Sequence, residues 1–321
     1  ESILKRKRIV FTVVGYPEVG LGHAFRTVML AHELVHHEIA FVCEQSSQLA
    51  AEHIRSFNYD VVECENGRLA ETVSSLYPDI VINDILDTSA EYMSALRGSC
   101  SARVVNFEDL GPGSGQADLV VNALYPGVSD DERVLVGPEF FCLRDEFLHG
   151  AQTRHAGKVE RLLVTFGGVD EGNLTARVTG LLIPYCRDNG IKIDIISGPG
   201  YAHRDDLAAV LLAHGYDGAV HHGSTSRISD YMRQADVAVT SGGRTVLELA
   251  ALNVPTVVLC QNVRETTHDY ARKENGVLNL GLGSAVDNER VLAAVTGIIE
   301  DAATREAMIE AVRRQDFSKG K

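Results

Sequence analysis

The apolar residues in the first half of the chain fall into short runs that are separated by amphipathic stretches. Residues 8–14 form a continuous apolar and β-branched run, which is typical of a strand covered on both faces. Glycines follow and lead into residues 23–35, where apolar side chains recur at the 3.6-residue spacing of a helix. A second helix is predicted at 47–57. Further strands are predicted at 39–44, 59–64, 79–84, 102–109, 118–124 and 133–139.

The pattern breaks at the polar stretch 143–160 and then begins again. Strands are predicted at 160–168, 192–200, 218–224, 236–243 and 256–262, and helices at 173–186, 205–214, 228–235, 245–253 and 289–314. Strands that alternate with helices form right-handed crossovers and therefore a parallel sheet. The chain is predicted to be an α/β protein with two Rossmann-like domains, 1–150 and 151–321. We expect the ligand in a cleft between them, at the carboxyl ends of the strands.

Composition narrows the class of protein. With 321 residues, of which 45% are hydrophobic and 23% charged, the chain is long enough for two globular domains. Its formal net charge of −14 argues against a nucleic-acid-binding protein, although a local backbone site still accommodates a small anion. The six cysteines form no CxxC pair, as expected in a reducing, cytoplasmic compartment. No apolar run approaches the ~18 residues of a membrane span.

The opening residues ESILKRKRIVFTVVG place a basic stretch before an apolar run, as signal peptides do. Because the run has only about seven residues and leads into the glycines, it is predicted to be the first strand. The KRKR segment is interpreted as the solvated flank of that strand rather than as a localisation tag. Since the chain does not begin with Met, we expect it to be part of a longer polypeptide.

Three loops share one design, in which an apolar strand is followed by glycines and then by a helix. Their candidate ligand-binding residues are Gly20 and Gly22 in the first, Gly167, Gly168 and Asn173 in the second, and Gly242 and Gly243 in the third. At such junctions, free backbone N–H groups and the positive end of the helix dipole favour a phosphate. None of the loops is a Walker loop, and Phe25 stands where the dinucleotide fingerprint has its third glycine. The loops predict an anionic ligand.

The third loop carries the largest number of candidate contacts. The residues predicted to donate to a diphosphate are Ser241, Gly242, Gly243, Arg244 and Thr245. Glu248 follows one turn along the helix, where its carboxylate could accept from the hydroxyls of a ribose or simply complement the helix dipole. Upstream, Arg227 and the backbone of Ile228 are candidate contacts for a base.

His23 lies beside the first pair of glycines, at a predicted helix start. The positive end of the helix disfavours a charge on the ring, so we expect a neutral imidazole that can accept a proton near pH 7. A positioned general base contributes typically ~10²–10⁴ in rate. A histidine that only caps the helix or packs the loop is the alternative, and position alone leaves both open.

No metal site is predicted. The sequence has no HExxH motif, and the vicinal His221 and His222 are expected to point opposite ways on a strand. Joint ligation of a metal by these two histidines is therefore not expected.

Six motifs occur in order along nearly the whole chain: GLGHAFR, PDIVINDILD, VVNFEDLGPGSGQADLVVN, GPEFFCLRDEF, LLVTFGGVDEGNLT and TSGGRTVLELAALNVPT. Together they resemble the UDP-sugar hydrolases of pseudaminic acid biosynthesis and the related spore-coat polysaccharide proteins. The last motif is also similar to the UDP-N-acetylglucosamine transferase that makes lipid II. The resemblance implies a GT-B fold, in which the second of two Rossmann-like domains holds most of the nucleotide.

For the hydrolase, the resemblance implies release of UDP from a UDP-linked 2,4-diacetamido-2,4,6-trideoxyhexose by attack of water at the anomeric carbon. It implies no metal or other cofactor. The histidine of the family's GxGHxxR loop corresponds to His23 and is the catalytic candidate. The GGxTxxE segment of the wider superfamily, which binds diphosphate and ribose, corresponds to Gly242, Gly243, Thr245 and Glu248.

Two departures from the family pattern fall where the sugar would be bound. The family's Asp-X-Tyr pattern reads Asp84-Ile85-Leu86 here, without the aromatic residue. The Asn-Gln pair of the second domain is replaced within CQNVRETTHDYA, where the residues on offer are Gln261, Asn262, Thr266, Thr267 and His268. We therefore expect this chain to share nucleotide binding with the family more closely than it shares the identity of the sugar.

Three functions remain open. In a nucleotide-sugar hydrolase of nonulosonic acid biosynthesis, His23 would activate water while Arg26 and Asp84 position the sugar or the histidine. In a GT-B glycosyltransferase of surface polysaccharide synthesis, His23 would deprotonate an acceptor hydroxyl. A non-catalytic nucleotide-sugar-binding module, fused to or associated with a CMP-sugar synthetase, is the third. Fold does not separate these functions, because the chemistry depends on the site. The lack of an apolar and basic patch beyond KRKR favours the hydrolase.

Overall fold

The computed structural model describes residues 5–127, 129–148, 156–317 and 320. The chain forms two compact units, unit 1 with residues 1–140 and unit 2 with residues 141–321. The predicted domain boundary between residues 150 and 151 lies outside the described residues.

The described part of unit 1 is built on seven strands, which the apolar runs predicted with ends that differ by a few residues. They are β1 Arg8–Val13, β2 Glu38–Glu44, β3 Val61–Cys64, β4 Ile80–Asp84, β5 Arg103–Phe107, β6 Leu119–Asn122 and β7 Val134–Val136. Their order across the sheet is β3-β2-β1-β4-β5-β6-β7, and the pairings are parallel. β1 is buried from its second residue onward, as expected for a strand covered on both faces.

Four helices of unit 1 connect these strands. They are α1 Gly22–Glu33, α2 Gln48–Arg55, α3 Leu69–Ser75 and α4 Ala90–Ser99. The apolar pattern predicted α1 and α2 but not α3 and α4, which are short and mostly polar on the surface. Consecutive parallel strands must be joined by a crossover connection. The sheet topology therefore requires helices such as α3 and α4 even where the local sequence only weakly predicts a helix. Ser89 marks the start of α4, since its side chain accepts from the backbone N–H of Tyr92.

The strand order of unit 1 reverses between β1 and β4. Val13 at the end of β1 is paired with Asp84 at the end of β4. In open parallel sheets, ligand sites form at such a reversal, beyond the carboxyl ends of the two strands. The loop after β1 and the end of β4 are therefore the part of unit 1 in which to look for chemistry.

Unit 2 repeats this plan with six strands in its described part. The strands are β8 Arg161–Thr165, β9 Lys192–Ile196, β10 Ala219–Gly223, β11 Val237–Thr240, β12 Thr256–Cys260 and β13 Val277–Leu282. Their order is β10-β9-β8-β11-β12-β13, again with parallel pairings. β13 was not predicted, because Asn279 and Gly281 interrupt its apolar pattern. The reversal of order lies between β8 and β11, so the second and third glycine loops follow neighbouring strands.

The helices of unit 2 lie between these strands and at the end of the chain. They are α5 Asp145–Leu148, α6 Leu174–Asn189, α7 Arg204–His214, α8 Ile228–Gln234, α9 Thr245–Ala251, α10 Asn288–Glu300 and α11 Ala302–Arg313. The predicted helical tail is two helices rather than one. Asp301 separates them and caps α11 by accepting from the backbone N–H groups of Ala303 and Thr304. None of the helices within the described residues has the length and apolarity to cross a membrane.

Candidate functional site

His23 and Asp84 meet at the strand reversal of unit 1. His23 lies in the first turn of α1, directly after the loop that follows β1, and Asp84 is the last residue of β4. The ring Nδ1 of His23 lies 2.5 Å from Oδ1 of Asp84. The Asp84 side chain is fully buried, whereas 13% of the His23 side chain is exposed. The histidine therefore has a buried carboxylate on one side and access to solvent on the other.

Arg26 holds the same carboxylate from one turn further along α1. Its Nε donates to Oδ2 of Asp84 at 2.7 Å, and its Nη2 donates to Oδ1 at 2.6 Å. Burial by itself would raise the pKa of Asp84, but the Arg26 guanidinium and the His23 ring lower it to about 2. Asp84 is therefore an ionised acceptor at neutral pH.

An ionised Asp84 decides which ring nitrogen of His23 carries the proton. A carboxylate only accepts hydrogen bonds, so Nδ1 of His23 is the donor and Nε2 keeps its lone pair. This is the tautomer that a general base requires.

Glu108 belongs to the same cluster and was missed by the sequence analysis, which assigned it to a strand. Arg26 Nη1 donates to Glu108 Oε1 at 3.1 Å, and the backbone N–H groups of Ala123 and Leu124 donate to its two oxygens at 3.2 Å. Burial raises the pKa of Glu108, and Arg26 opposes that shift. The residue follows the last residue of β5 in a left-handed conformation with φ 51°, which is strained for a non-glycine residue. The sequence did offer one indication of Glu108, since it is an acidic residue at the end of β5, the strand next to β4.

The first glycine loop brings His23 to its position. The N–H groups of Val19 and Gly20 both donate to the carbonyl of Tyr16, and Gly20 has a φ of 80°. Only glycine adopts such a φ without strain, so Gly20 is explained by the turn itself. Gly22 is the first residue of α1. Their predicted contacts to a ligand stay predictions.

In the second glycine loop, a side chain of the protein occupies the helix end that was expected to be open. Asp170 accepts from the backbone N–H groups of Leu174 and Thr175, at 2.9 and 2.8 Å. The expectation of free N–H groups at the start of α6 was therefore wrong for these two groups. The carboxylate satisfies the donors and complements the dipole in the way a phosphate would.

The other candidates of the second loop lie around this cap. Gly167 has a φ of 77°, and Gly168 accepts through its carbonyl from the N–H of Gly200 at 2.9 Å. The amide of Asn173 accepts from Tyr201 Oη at 2.6 Å and donates to Asp206 Oδ2 at 3.0 Å. These bonds account for Asn173 structurally, and its contact with substrate stays a prediction.

The third glycine loop follows β11. Ser241 and Thr245 are buried, and Gly242 is closely packed, because a Cβ there would lie 2.9 Å from Cys260 Sγ. Arg244 donates from Nη2 to the carbonyl of Cys142 at 2.9 Å. Its guanidinium also lies over the ring of Phe141, 4.4 Å from the centroid. The side chain of Arg244 is thus engaged within unit 2.

Glu248 lies in α9, on the helix that the third loop begins. Its side chain is 14% exposed, and Oε1 lies 3.6 Å from Nη2 of Arg144. The carboxylate lies beside one cation and retains acceptor positions for further hydrogen bonds. Gly167 and Thr245 come near each other, since a Cβ at Gly167 would lie 4.0 Å from Thr245 Oγ1. The second and third loops therefore form one surface of unit 2.

The segment after β12 ties the two loops together. Gln261 Nε2 donates to the carbonyl of Phe166 at 2.5 Å. Glu265 accepts from the N–H of Gly242 at 3.1 Å, and His268 Nδ1 lies 2.8 Å from the carbonyl oxygen of the same glycine. The expectation of a free N–H group at Gly242 was therefore wrong. His268, which was predicted to contact a sugar, thus contacts the backbone of the third glycine loop. Glu265 was missed by the sequence analysis, because nothing local links it to a glycine 23 positions earlier.

The hydroxyls of Thr266 and Thr267 bond to their own turn, to the carbonyls of Val263 and Arg264. Both threonines are exposed. Their contact with a sugar stays a prediction.

Ile228 is the first residue of α8, as expected from the helix start predicted there.

The two vicinal histidines have different partners, as predicted. His221 Nε2 lies 2.8 Å from Ser197 Oγ, and His222 Nε2 lies 2.7 Å from Asp194 Oδ1. Burial, together with Arg204 and His222, lowers the pKa of His221. In the part of the chain that is described, no group of three His, Cys, Asp or Glu side chains is arranged to hold a metal ion. Metal independence remains a prediction.

No family model matches the chain. It is 29% identical over 287 residues to the uncharacterized protein MJ1062 of Methanocaldococcus jannaschii, which covers 83% of this chain and 58% of that protein. It is 26% identical over 304 residues to the spore coat polysaccharide biosynthesis protein SpsG of Bacillus subtilis, which covers 90% of this chain and 88% of SpsG. The chain thus spans little more than half the length of the archaeal relative.

Among solved structures, MurG of Acinetobacter baumannii superposes with a TM-score of 0.66 at 14% identity, over 96% of this chain and 95% of MurG. The calicheamicin glycosyltransferase CalG4 superposes with a TM-score of 0.63 at 15% identity, over 99% of this chain and 96% of CalG4. At such low identity these superpositions identify the fold. The chain has the GT-B fold, built from two Rossmann-like α/β units with parallel sheets, and it is similar in sequence to SpsG over most of its length.

Proposed function

We propose that this chain is an enzyme of polysaccharide biosynthesis that acts on a UDP-linked sugar, with His23 as its general base. The observation that carries the proposal is the contact between His23 Nδ1 and the buried, ionised Asp84. This contact leaves Nε2 of the partly exposed ring as the proton acceptor. The similarity to SpsG and the GT-B fold support this proposal of the substrate class.

Within this class we propose hydrolysis of a UDP-2,4-diacetamido-2,4,6-trideoxyhexose as the reaction. The oxygen of water attacks the anomeric carbon while its proton passes to Nε2 of His23. The bond from that carbon to the diphosphate oxygen breaks, and UDP leaves with the electron pair. In unit 2, Ser241, Gly243 and Thr245 are the proposed donors to the diphosphate, and Glu248 is the proposed acceptor for the ribose hydroxyls. The N–H of Gly242 donates to Glu265 instead.

Glycosyl transfer is the second candidate. The chain shares its fold with the glycosyltransferase CalG4. The name of the relative SpsG refers to the biosynthesis of spore coat polysaccharide. The site chemistry would be the same except that the hydroxyl of an acceptor replaces water. The two reactions share His23 and the leaving UDP, so they differ only in what the base deprotonates.

The test is the rate of UDP release from UDP-2,4-diacetamido-2,4,6-trideoxyhexoses without an acceptor, for wild type, His23→Ala and the control His36→Ala. His36 is an exposed histidine of the same unit, outside the cluster. Hydrolysis predicts fast release by wild type and by His36→Ala, and a loss of about 10²–10⁴-fold in His23→Ala. Release that depends on an added polysaccharide acceptor would favour transfer instead. Release that is unchanged in His23→Ala would contradict the role of this histidine in either reaction.

A further inference from the structure

The peptide group of Gly242 is held on both sides by the segment that follows β12. Oε2 of Glu265 accepts from the N–H of Gly242 at 3.1 Å and from the N–H of Gln261 at 2.8 Å. On the carbonyl side, Nδ1 of His268 lies 2.8 Å from the oxygen of Gly242. The Glu265 carboxylate thus accepts a hydrogen bond from a backbone N–H group of the third glycine loop.

The proposed function assigns the same loop to the diphosphate. The other carboxylate oxygen of Glu265 also lies close, because a Cβ at Gly243 would be 3.1 Å from Oε1. A phosphate bound to the N–H of Gly243 would therefore lie beside an ionised carboxylate. Two anions at this separation repel each other strongly in a partly buried site.

The surroundings of Glu265 favour its neutral form. Burial raises its pKa to about 7, although the N–H groups of Gln261 and Gly242 oppose the shift. The charge of Asp170, from the second loop, raises the pKa of Glu265 further, and the Cys260 thiol at the end of β12 also lies close to Glu265. His268, on the same segment as Glu265, contacts the carbonyl of Gly242. The Arg244 guanidinium of the third loop is directed to Phe141 and Cys142.

We propose that Glu265 takes up one proton when a nucleotide diphosphate binds, and that the resulting carboxylic acid donates its O–H to a phosphate oxygen. Glu265 would then be a ligand-binding residue of the diphosphate site. The proton comes from solvent, and no covalent bond to the ligand forms or breaks. This inference rests on the proposed function, since it requires a diphosphate at the third loop.

The test is calorimetric titration with UDP-N-acetylglucosamine, whose diphosphate has no ionisation of its own near neutral pH. Titrations at about pH 6 and about pH 8, in two buffers of different ionisation enthalpy, give the Kd and the number of protons taken up. For a group that titrates near pH 7, Kd is expected to be about tenfold higher at the upper pH, with uptake close to one proton there. Glu265→Gln should bind at about pH 8 as tightly as wild type does at about pH 6, without proton uptake.

Glu274→Gln is the matched control, because Glu274 is an exposed glutamate of the same unit and should behave like wild type. Binding of wild type without pH dependence and without proton uptake would overturn the inference and leave the proposed function intact. Uptake that persists in Glu265→Gln would also overturn it, because a group other than Glu265 would then take up the proton. If Glu265→Gln does not fold, the proton count of wild type decides. Absence of binding at every pH would overturn the proposed function and the inference with it.

Discussion

Nδ1 of His23 lies 2.5 Å from Oδ1 of Asp84, although 61 positions separate the two residues in the chain. Arg26 and Glu108 surround this pair with a buried network of one guanidinium and a second carboxylate. The network fixes the ring orientation of His23 while leaving part of the ring exposed. This is the arrangement that the proposed role of His23 as a general base requires.

The first prediction concerns Asp84→Asn. An amide can turn its NH₂ group toward Nδ1 and favour the wrong tautomer of His23, so kcat for UDP release should fall by about 10²–10⁴-fold. The variant also leaves Arg26 incompletely paired, so circular dichroism should first confirm that it is folded at the assay temperature. The pH–rate profile is the decisive readout, because a structural defect alone would lower the rate without moving the profile. The exposed Asp60→Asn is the control, and an equal rate in both variants would refute the role of Asp84.

The second prediction concerns the stability that Arg26 confers. Arg26→Ala leaves the carboxylates of Asp84 and Glu108 buried without their cation, so the free energy of unfolding should fall by about 3–5 kcal/mol. Arg26→Lys keeps the charge but loses the two-pronged contact, and should cost less. Urea unfolding gives both values. The exposed pair of Arg133 and Asp131 provides the control, since Arg133→Ala should change the free energy of unfolding very little. Equal losses in Arg26→Ala and Arg133→Ala would show that the buried network adds nothing.

The third prediction concerns Asp170 as the cap of α6. Asp170→Ala removes the acceptor for two N–H groups and places alanine at a φ of 52°, so it should cost about 1–2 kcal/mol or more. Asp170→Asn tolerates that φ and keeps one acceptor, so its cost should be smaller. Urea unfolding of both variants is compared with Asp217→Ala, an exposed aspartate of unit 2 that should change stability by no more than about 0.5 kcal/mol. An Asp170→Ala variant as stable as this control would contradict the capping role.

The fourth prediction concerns the ribose contact of Glu248. Loss of charge-assisted hydrogen bonds in Glu248→Gln should raise the Kd for UDP by about tenfold or more. The loss should be smaller for 2′-deoxy-UDP, which lacks one of the two hydroxyls. Titration calorimetry with both nucleotides measures the difference, and the exposed Glu289→Gln serves as control. Equal losses for the two nucleotides would mean that Glu248 does not recognise the ribose.

The fifth prediction concerns stability as a function of pH. The pKa of Glu265 in the folded protein, about 7, lies above its ordinary value of 4.5. The folded state therefore holds more protons than the unfolded state between these values, and stability falls as pH rises through about 7. Relative to Glu265→Gln, wild type should lose about 1–3 kcal/mol between about pH 5 and about pH 8. Urea unfolding at several pH values tests this. A constant difference between the two proteins would show that Glu265 titrates normally.

Local sequence determined the described strands other than β13 and the repeated α/β plan. The run RIVFTV in β1 is apolar along its length because both faces of a parallel sheet are covered, and that requirement is visible without a structure. The glycine loops were visible for a similar reason, since the backbone at Gly20 and Gly167 adopts a positive φ that glycine favours. His23 was identified as a candidate because it stands next to such a loop.

The partners of the polar groups were decided by the tertiary structure. Asp170 fills the start of α6, Glu265 binds the N–H of Gly242, and Glu108 reaches Arg26 across 82 positions. A buried N–H or guanidinium needs a partner, but periodicity does not say which carboxylate supplies it. That choice follows from strand order, which brings the ends of β1, β4 and β5 together in one unit and the loops after β8, β11 and β12 together in the other. Sequence therefore indicated where to expect a site, and the packing of distant elements decided which side chains come together there.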